Sequence, residues 1–516
     1  MLTILKSLNV NKSPGPDGIH PKILKELSNE LSHPLKLLFD KTMIEGRLPK
    51  AWKEAEVRPI FKNKGKKSAP GNYRPVSLTA VICKIFEKFI KDALCKHFIN
   101  NNLLSEEQFG FCQGRSCTTQ LLVTLNDWMQ SLDNKVPLDA AYLDFRKAFD
   151  SVPHKRLLTK LKGYGVTGKV LDWIQDFLSN RNQFVSINGK SSKKAPVTSG
   201  VPQGSVLGPT LFIYFINDLP DVASCLVKIF ADDTKAYCPI KDDSDHVKLQ
   251  DTIHSFLGWS DTWLLRFNSD KCKVLHIGSK NPRHEYDISN DDGMCKLETT
   301  NNEKDLGVYI DENLNFDFHI TTTVKKARSM AGMLQRHITH KTRDIMVPLF
   351  KALVRPVLEY AVSVWCPYKK KDIKRLENVQ QQFTKRIKGL RELTYTERMK
   401  KLKLPSLLYR RIRGDMIEVY KILNNYYDPI TTKKLLTLNN NGHFTRTNNM
   451  KLEKPSFNTK KFHMFFKNRV INLWNRLSPV TVSSKSLNTF KNNIDKDLKP
   501  YWYVCDIDIT KMTPIY

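Results

Sequence analysis

No apolar run in the sequence approaches the roughly 18 residues that a bilayer-spanning helix requires. The opening MLTILKSLNVNKS is too short in its apolar part for a secretory signal, so an intracellular protein is expected. The ten cysteines, at 83, 95, 112, 117, 225, 238, 272, 295, 366 and 505, include no CxxC pair and no zinc-knuckle spacing. Cys112 and Cys117 are close in sequence, but no histidine or second pair completes a metal site. Reduced, mostly buried thiols are expected, because a chain of 516 residues does not need disulfides to fold. Acidic residues are scarce as well. Asp and Glu number 52 against 83 Lys and Arg, which leaves a net charge of +31. A surplus of that size suits a polyanion, either nucleic acid or an anionic membrane. No segment reads as an amphipathic membrane helix, so nucleic acid is the expected partner. Internal repeats and low-complexity tracts are missing too. With 41% apolar and 26% charged residues, the chain reads as globular rather than disordered or fibrous.

A turn-rich stretch, Ser13-Pro14-Gly15-Pro16-Asp17-Gly18, precedes PKILKELSNELSHPLKLLFDKTM, where apolar residues recur at helical spacing. Residues 55–80 read as short extended segments around the basic loop FKNKGKKSAPGNYRP. A helix follows in ICKIFEKFIKDALCKHF, with a predicted apolar stripe at Ile82, Ile85, Phe86 and Phe89. AAYLDF reads as a buried strand, and AFDSVPHKRLLTKL turns from it into a helix, with Pro153 suited to the first turn. QFVSING is an alternating strand ending in the hairpin pair Asn188-Gly189. SGVPQGSVLGPTLFIYFINDL is a loop followed by an apolar helix, and LVKIFADDTKAYCPI reads as a β-hairpin. After a charged helix, KVLHIG and DLGVYID read as further strands. Residues 321–413 hold 24 basic and 6 acidic side chains, more than half of the net surplus in under a fifth of the chain. The Asn-rich stretch 424–449 reads as a loose linker, and FKNRVINLWNRLSPVTV returns to helical spacing.

Three carboxylates carry the chemistry. Asp144 follows the buried-looking strand, and Asp232 and Asp233 fall at the predicted hairpin tip. Carboxylates at the ends of apolar strands are costly unless something positive meets them. Mg²⁺ takes oxygen ligands and is held by one or two carboxylates plus substrate phosphates. If the strands are neighbours, Asp144 and Asp232 face one another and could hold two metals for an in-line displacement. Taken singly, an Asp after a strand is usually a turn or cap residue, and an Asp pair in a hairpin turn is common.

The flanking residues decide between these readings. FADD (Phe230 to Asp233) is similar to the xxDD box of reverse transcriptases, and LDFRKAFD (Leu143 to Asp150) resembles their first catalytic motif. SGVPQGSVLGPTLF (Ser199 to Phe212) resembles the motif between them. YRPVSL (Tyr73 to Leu78) and GFCQGRSCTTQLL (Gly110 to Leu122) resemble the fingers segments, and KDLGVYID (Lys304 to Asp311) the strand that grips the primer. The set occurs in the family's order, most like the jockey-like elements among retrotransposons without long terminal repeats. It is strong over residues 10–310 and weak beyond.

The resemblance implies a right-hand polymerase of α/β (α+β) class, with an antiparallel palm sheet, mixed fingers, a helical thumb and a helical C-terminal extension. Residues 1–54 would lead into the fingers and 55–312 would form fingers and palm. Residues 320–423 would be the basic thumb, holding a template–primer duplex by its phosphates, and 424–516 a linker and C-terminal region. The implied activity is RNA-directed DNA polymerisation, using deoxynucleotides, an RNA template and a DNA primer or target, without a membrane. In such elements it serves target-primed reverse transcription. Two Mg²⁺ ions are implied, with Mn²⁺ able to substitute. Asp144 and Asp232 would ligate both metals and Asp233 would assist. Phe149 would be the aromatic gate against a ribose 2′-hydroxyl. Phe145, Gln203 and Gly204 would contact the incoming nucleotide, with Gly204 allowing close backbone approach. Arg74 would face the triphosphate with help from Lys62. Lys271 would protonate the leaving pyrophosphate, although Lys273 is equally close in sequence. Complete elements usually encode an endonuclease, for which no room is seen here, and no ribonuclease H signature is seen. Nuclear action after cytoplasmic synthesis is expected from the family. Two alternatives stay open: a catalytically silent nucleic-acid-binding remnant, and an intron-type enzyme with a maturase region.

Overall fold

Strands form where short apolar or β-branched runs lie between turn residues. In the computed structural model, which describes residues 1–290, 293–439 and 450–506, EAEVRPIF and YRPVSL become β1 (Glu54–Phe61) and β2 (Tyr73–Leu78), paired antiparallel around the basic loop. LDAAYL becomes β3 (Leu138–Leu143), buried at nearly every position. β4 (Arg181–Ile187) and β5 (Lys190–Ser191) are joined by Asn188-Gly189, both with positive φ as a tight hairpin turn requires. β6 (Ala195–Val197) also pairs with β4. β7 (Leu226–Phe230) and β8 (Asp233–Pro239) form the expected hairpin, and β9 is Lys273–Ile277. β10 (Asp287–Asn290) pairs with β11 (Gly293–Lys296), and β12 (Glu298–Thr300) is short. KDLGVYID is a hairpin rather than one strand. β13 (Asn302–Asp305) turns at Leu306 and Gly307, both at positive φ, into β14 (Val308–Asp311).

One sheet has the order β2-β1-β4-β5, with β1 and β4 parallel. The central sheet runs β12-β9-β3-β8-β7. It is antiparallel except at its edge, where β12 pairs parallel with β9. Alternation along β3 divides the core. Ala141 and Leu143 face a cluster built with the helices Val81–Asn100, Gly168–Leu178, Gly208–Ile216 and Ser244–Trp263. Leu138 and Ala140 face a second cluster, which starts at the helix Cys117–Asp133 and continues through the helices Asp317–His337, Lys370–Lys385 and Leu407–Leu423 to Leu498.

Two expectations shift. In Val81–Asn100 the buried face includes Cys83, Phe86 and Ile90, while Ile82 is only partly buried and Phe89 is exposed. The helix is rotated because Phe86 is held by Phe39, stacked at 4.5 Å, and by Trp173, edge-on at 5.1 Å. The stretch expected to be a loose linker is packed as far as residue 439. Asp428 caps the turn Pro429–Thr432, Leu435 and Leu436 are buried, and Leu438 bridges Leu452. Residues 440–449 and 507–516 lie outside the described residues. The basic surplus is also less exposed than its count implies. Arg398 and Arg411 are buried, as is Arg469, which holds Asp415 at 2.8 Å. No helix among the described residues is long and apolar enough to cross a membrane, and all ten cysteines are free thiols.

His319 links β14 to the helix that follows. Its Nδ1 accepts from the Tyr309 amide at 3.2 Å, and its ring meets Trp365 edge-on at 4.8 Å. Burial pushes its pKa down to about 4. Because the unfolded imidazole titrates near 6.5, the stability held by the neutral ring is complete above that pH and is lost as pH falls toward 4. Between pH 7.5 and 5 the wild type should therefore lose about 2 kcal/mol more unfolding free energy than His319→Asn. Urea titrations at the two pH values measure this, and parallel losses would reject it.

Candidate active site

The register of the central sheet assembles the carboxylates. β3 ends at Leu143, opposite Thr234 of β8, so Asp144 comes level with Asp233 and the turn before it. Asp144 is fixed from the other side as well. Its carbonyl accepts from the Asn268 amide at 2.7 Å, and the next residue, Phe145, bridges Phe267. The turn Ala231-Asp232 closes the β7–β8 hairpin between the paired Phe230 and Asp233. Ala231 there takes a left-handed conformation (φ +58), which costs a non-glycine residue about 1–2 kcal/mol.

The electrostatics follow from that crowding. Loss of solvent, and then repulsion from Asp144, raise the Asp232 pKa, against the lowering influence of Lys271 and Arg74. Asp233 is pushed up to about 7 by loss of solvent and by repulsion from Asp232, Asp144 and Asp305. Behind the hairpin Asp305 is buried, paired with Lys235 at 2.5 Å and reached by the Tyr142 hydroxyl at 3.5 Å. A cluster of acceptors that resists its own ionisation suits a hard cation. Among the described residues no three carboxylate, imidazole or thiolate groups converge to cage a metal by themselves. Two carboxylates sharing an ion with substrate phosphates is the arrangement such a donor set can offer.

The other predicted residues divide. Lys271 lies in the short turn Ser269–Lys271 ahead of β9 and forms an ion pair with Asp144, whereas Lys273 pairs with Glu298 at the sheet edge. Arg74 is exposed on β2, close enough for its charge to lower the Asp232 pKa. Phe149 is stacked on Phe212 at 4.3 Å, with Phe111 edge-on at 6.3 Å. Gln203 donates from Nε2 to Asp150 at 2.9 Å, and its carbonyl accepts from the Ser77 amide at 2.6 Å. The Lys62 Nζ donates to the Gly71 carbonyl at 3.0 Å, and its charge lowers the Asp150 pKa against burial.

Two further residues are placed by packing. Phe145 is 2% exposed and its ring stacks on Phe267 at 4.2 Å, so any part it takes in a nucleotide site falls to its backbone. Gly204 (φ +127) does allow a close approach, but to β2: a Cβ there would lie 2.2 Å from the Ser77 carbonyl oxygen.

Sequence reasoning missed the residues that hold the site. Glu87, fully buried on the helix Val81–Asn100, accepts from the Val206 and Leu207 amides at 2.7 and 2.9 Å. It thus anchors the start of the helix Gly208–Ile216, directly after Gln203 and Gly204. Burial raises its pKa against those hydrogen bonds. Its only signal in sequence is a Glu beside an apolar stripe. Gln108 accepts from the Ala231 amide at 3.0 Å and stands two residues before Gly110. Asp150 closes the LDFRKAFD string but had been given no role.

A buried sheet ending in clustered carboxylates, flanked by cationic side chains, defines a candidate metal-dependent nucleotidyl-transfer site. Residues 62–316 match the family model described as reverse transcriptase (RNA-dependent DNA polymerase). Over that stretch the chain is similar to reverse transcriptases, and the described residues there form a mixed α/β fold. It is also similar, over most of its length, to proteins named as RNA-directed DNA polymerases of the mobile element jockey and of a further transposon. It is 29% identical over 427 residues to the RNA-directed DNA polymerase from mobile element jockey of Drosophila melanogaster, covering 78% of this chain and 45% of that protein. It is 27% identical over 395 residues to the probable RNA-directed DNA polymerase from transposon BS of the same species, covering 73% and 43%. It is also 27% identical over 401 residues to the jockey polymerase of Drosophila funebris, covering 75% and 43%. The matched stretch thus spans under half the length of these relatives.

The approach at Gly204 gives a direct test. Gly204→Ala should lower unfolding free energy by more than about 2 kcal/mol, through both clash and strained φ. Gly71→Ala, where a Cβ meets nothing within 4 Å, should stay within about 0.5 kcal/mol. Chemical denaturation compares the two, and equal effects would show that the loop yields freely.

Proposed function

We propose that this chain copies RNA into DNA by adding deoxynucleotides to a primer 3′-hydroxyl, within the target-primed replication of a retrotransposon without long terminal repeats. The observation that carries this reading is the alignment of Asp144 with Asp232 and Asp233 by the β3–β8 register, beside Lys271 and Arg74. In this reading the central sheet and its helices are the palm and β1, β2 and β4 belong to the fingers. The basic helices beyond residue 317 form a thumb that grips duplex phosphates without reading sequence.

Asp144 and Asp232 would hold two Mg²⁺ ions, with Asp233 assisting; such ions would supply activation of the attacking hydroxyl and charge neutralisation on the leaving group. Arg74 binds the triphosphate through its guanidinium fork and orients the α-phosphorus for in-line attack. Lys271 leaves Asp144 for the pyrophosphate and passes a proton from Nζ to its departing oxygen. Gln203, braced between Asp150 and Ser77, supports the base and sugar. Phe149, backed by Phe212, closes the space a ribose 2′-hydroxyl needs. Catalysis on this account is mainly positioning and preorganised charge.

Primer extension on an RNA template with Mg²⁺ tests the proposal. Wild type should extend an annealed DNA primer, and Asp232→Asn should lose about 10³-fold or more while binding the duplex within about threefold. Wild type that binds duplex at low salt but extends nothing would reject the polymerase and favour a silent nucleic-acid-binding protein. Phe149→Val should erode discrimination against ribonucleotides by about 10- to 100-fold, read as alkali-labile product in mixed-nucleotide reactions. Unchanged discrimination would put the gate elsewhere.

A further inference from the structure

The turn that carries Asp232 depends on support from outside its own hairpin. Ala231 holds its left-handed backbone without the freedom of a glycine. The segment 105–115 encloses it. Gln108, 1% exposed, accepts with one side-chain oxygen from both the Gly110 and Ala231 amides, at 2.8 and 3.0 Å. Its Nε2 is buried with no hydrogen-bond partner among the described residues, so the side chain is held only as an acceptor. A Cβ on Gly110 would lie 2.4 Å from the Ala231 nitrogen, which leaves the turn no room to relax that way. Just before the turn, the Ile229 amide donates to the Glu107 carbonyl at 2.9 Å and the Phe109 amide to the Ile229 carbonyl at 2.8 Å.

This clamp is itself held from behind. Arg115 donates from one Nη to the carbonyls of Ser105 and Gln108, both at 2.6 Å. Its Nε donates to the Asp428 carboxylate at 2.7 Å. The pair is largely removed from solvent, with side chains 5% and 17% exposed. The Asp428 amide in turn donates to the Gly114 carbonyl at 2.9 Å, and a Cβ on Gly114 would lie 2.9 Å from the Asp428 nitrogen. Asp428 lies well beyond residue 316, where the match to the polymerase family ends.

We infer that Asp428, Arg115 and Gln108 form a positioning relay through which the C-terminal helical region sets the backbone geometry of the Asp232–Asp233 turn. None of the three touches the reacting atoms. The inference rests on the polymerase reading for its consequence, since a turn displaced by a fraction of an ångström misplaces the carboxylates that hold the cations. Residues 62–316 contain Arg115 and Gln108 but not the carboxylate that fixes Arg115, so the family domain alone is one contact short of a fully braced site.

The test uses the full chain and four variants: Gln108→Met, Gln108→Glu, Arg115→Lys and Asp428→Asn. Single-nucleotide extension gives kcat and KM. Titration with Mn²⁺ alone, followed by its paramagnetic signal, gives cation affinity. Template–primer binding and thermal unfolding report the rest of the molecule. Gln108→Met, close in size but without the acceptor, should lower kcat and Mn²⁺ affinity by about 10- to 100-fold, as outer-shell changes do, with KM and duplex affinity within about threefold. Gln108→Glu keeps an oxygen at the same position and should recover most of the loss. Asp428→Asn should move kcat and Mn²⁺ affinity in the same direction by about fivefold, and Arg115→Lys by more, because it loses the fork that binds two carbonyls and a carboxylate together. If Gln108→Met does not fold, the two remote variants decide. Folded variants with wild-type kcat and Mn²⁺ affinity would overturn the relay, as would losses that track duplex binding and thermal stability alike. If wild type binds Mn²⁺ but extends nothing, the polymerase reading falls and the relay is judged on Mn²⁺ affinity alone. If it binds no Mn²⁺, both fall.

Discussion

The site depends on like charges crowded together at the rim of the central sheet, where burial is only partial. Asp144, Asp232 and Asp233 repel one another, and Asp305 adds to the repulsion from behind. Mutual attraction cannot bring such groups together, so covalent and backbone constraints must. The β3–β8 register, the two-residue turn at Ala231-Asp232 and the bond from Asn268 to the Asp144 carbonyl are those constraints. Lys271, paired with Asp144, Lys235, paired with Asp305, and Arg74 offset part of the repulsion; Lys271 and Arg74 both act on Asp232, Arg74 without a direct ion pair among the described residues. The residual unfavourable charge is the physical basis for expecting cations at this place.

The same logic extends outward in layers. The carboxylates sit on the rim of a sheet packed on both faces, and the turn and loop around them are held by buried polar groups at backbone amides. Glu87 does this for the loop of Gln203 and Gly204, and Gln108 does it for Ala231. Each is a single acceptor serving two amides, which fixes a backbone position more tightly than apolar packing can. The second core cluster runs without interruption from the helix beneath the sheet to the last C-terminal helices. Asp133, at the end of that helix, accepts from the Asn458 and Thr459 amides. The C-terminal region is therefore joined to the sheet by polar contacts as well as by packing.

What was legible in the sequence follows from which forces are local. β3, the β7–β8 hairpin and the helix Gly208–Ile216 were readable because apolar runs and turn residues specify them within a dozen positions. Asp144, Asp232 and Asp233 were readable because they interrupt those runs with charges that need a reason. That the Phe145 ring packs on Phe267 was not readable, because the two lie far apart in sequence. Gly204 was identified as a close-approach glycine, but the sequence could not say that the approaching chain is β2, since Ser77 lies over a hundred residues away. Gln108 and Asp428 gave no signal, and Glu87 only a faint one beside an apolar stripe, because each acts across a tertiary contact on a segment distant in sequence. The supporting shell of a site is made of such contacts, and one sequence does not display them.

The basic surplus shows the same division between count and placement. The 24 basic residues in 321–413 read as one phosphate-binding surface. Arg398 and Arg411 are buried, however, and Arg410 is committed to Glu359. Lys325, Lys326 and Arg328 on one helix, and Lys371, Lys374 and Lys385 on another, remain at the surface. The buried Arg398 and Arg469 hold one helix to another through bonds that salt hardly screens, whereas the exposed residues interact through solvent, where salt acts strongly. Residues of the same type thus separate by burial into those that hold the fold and those that remain at the surface. On the proposed function, a surface able to release a polyanion as salt rises would thereby coexist with a scaffold that does not loosen.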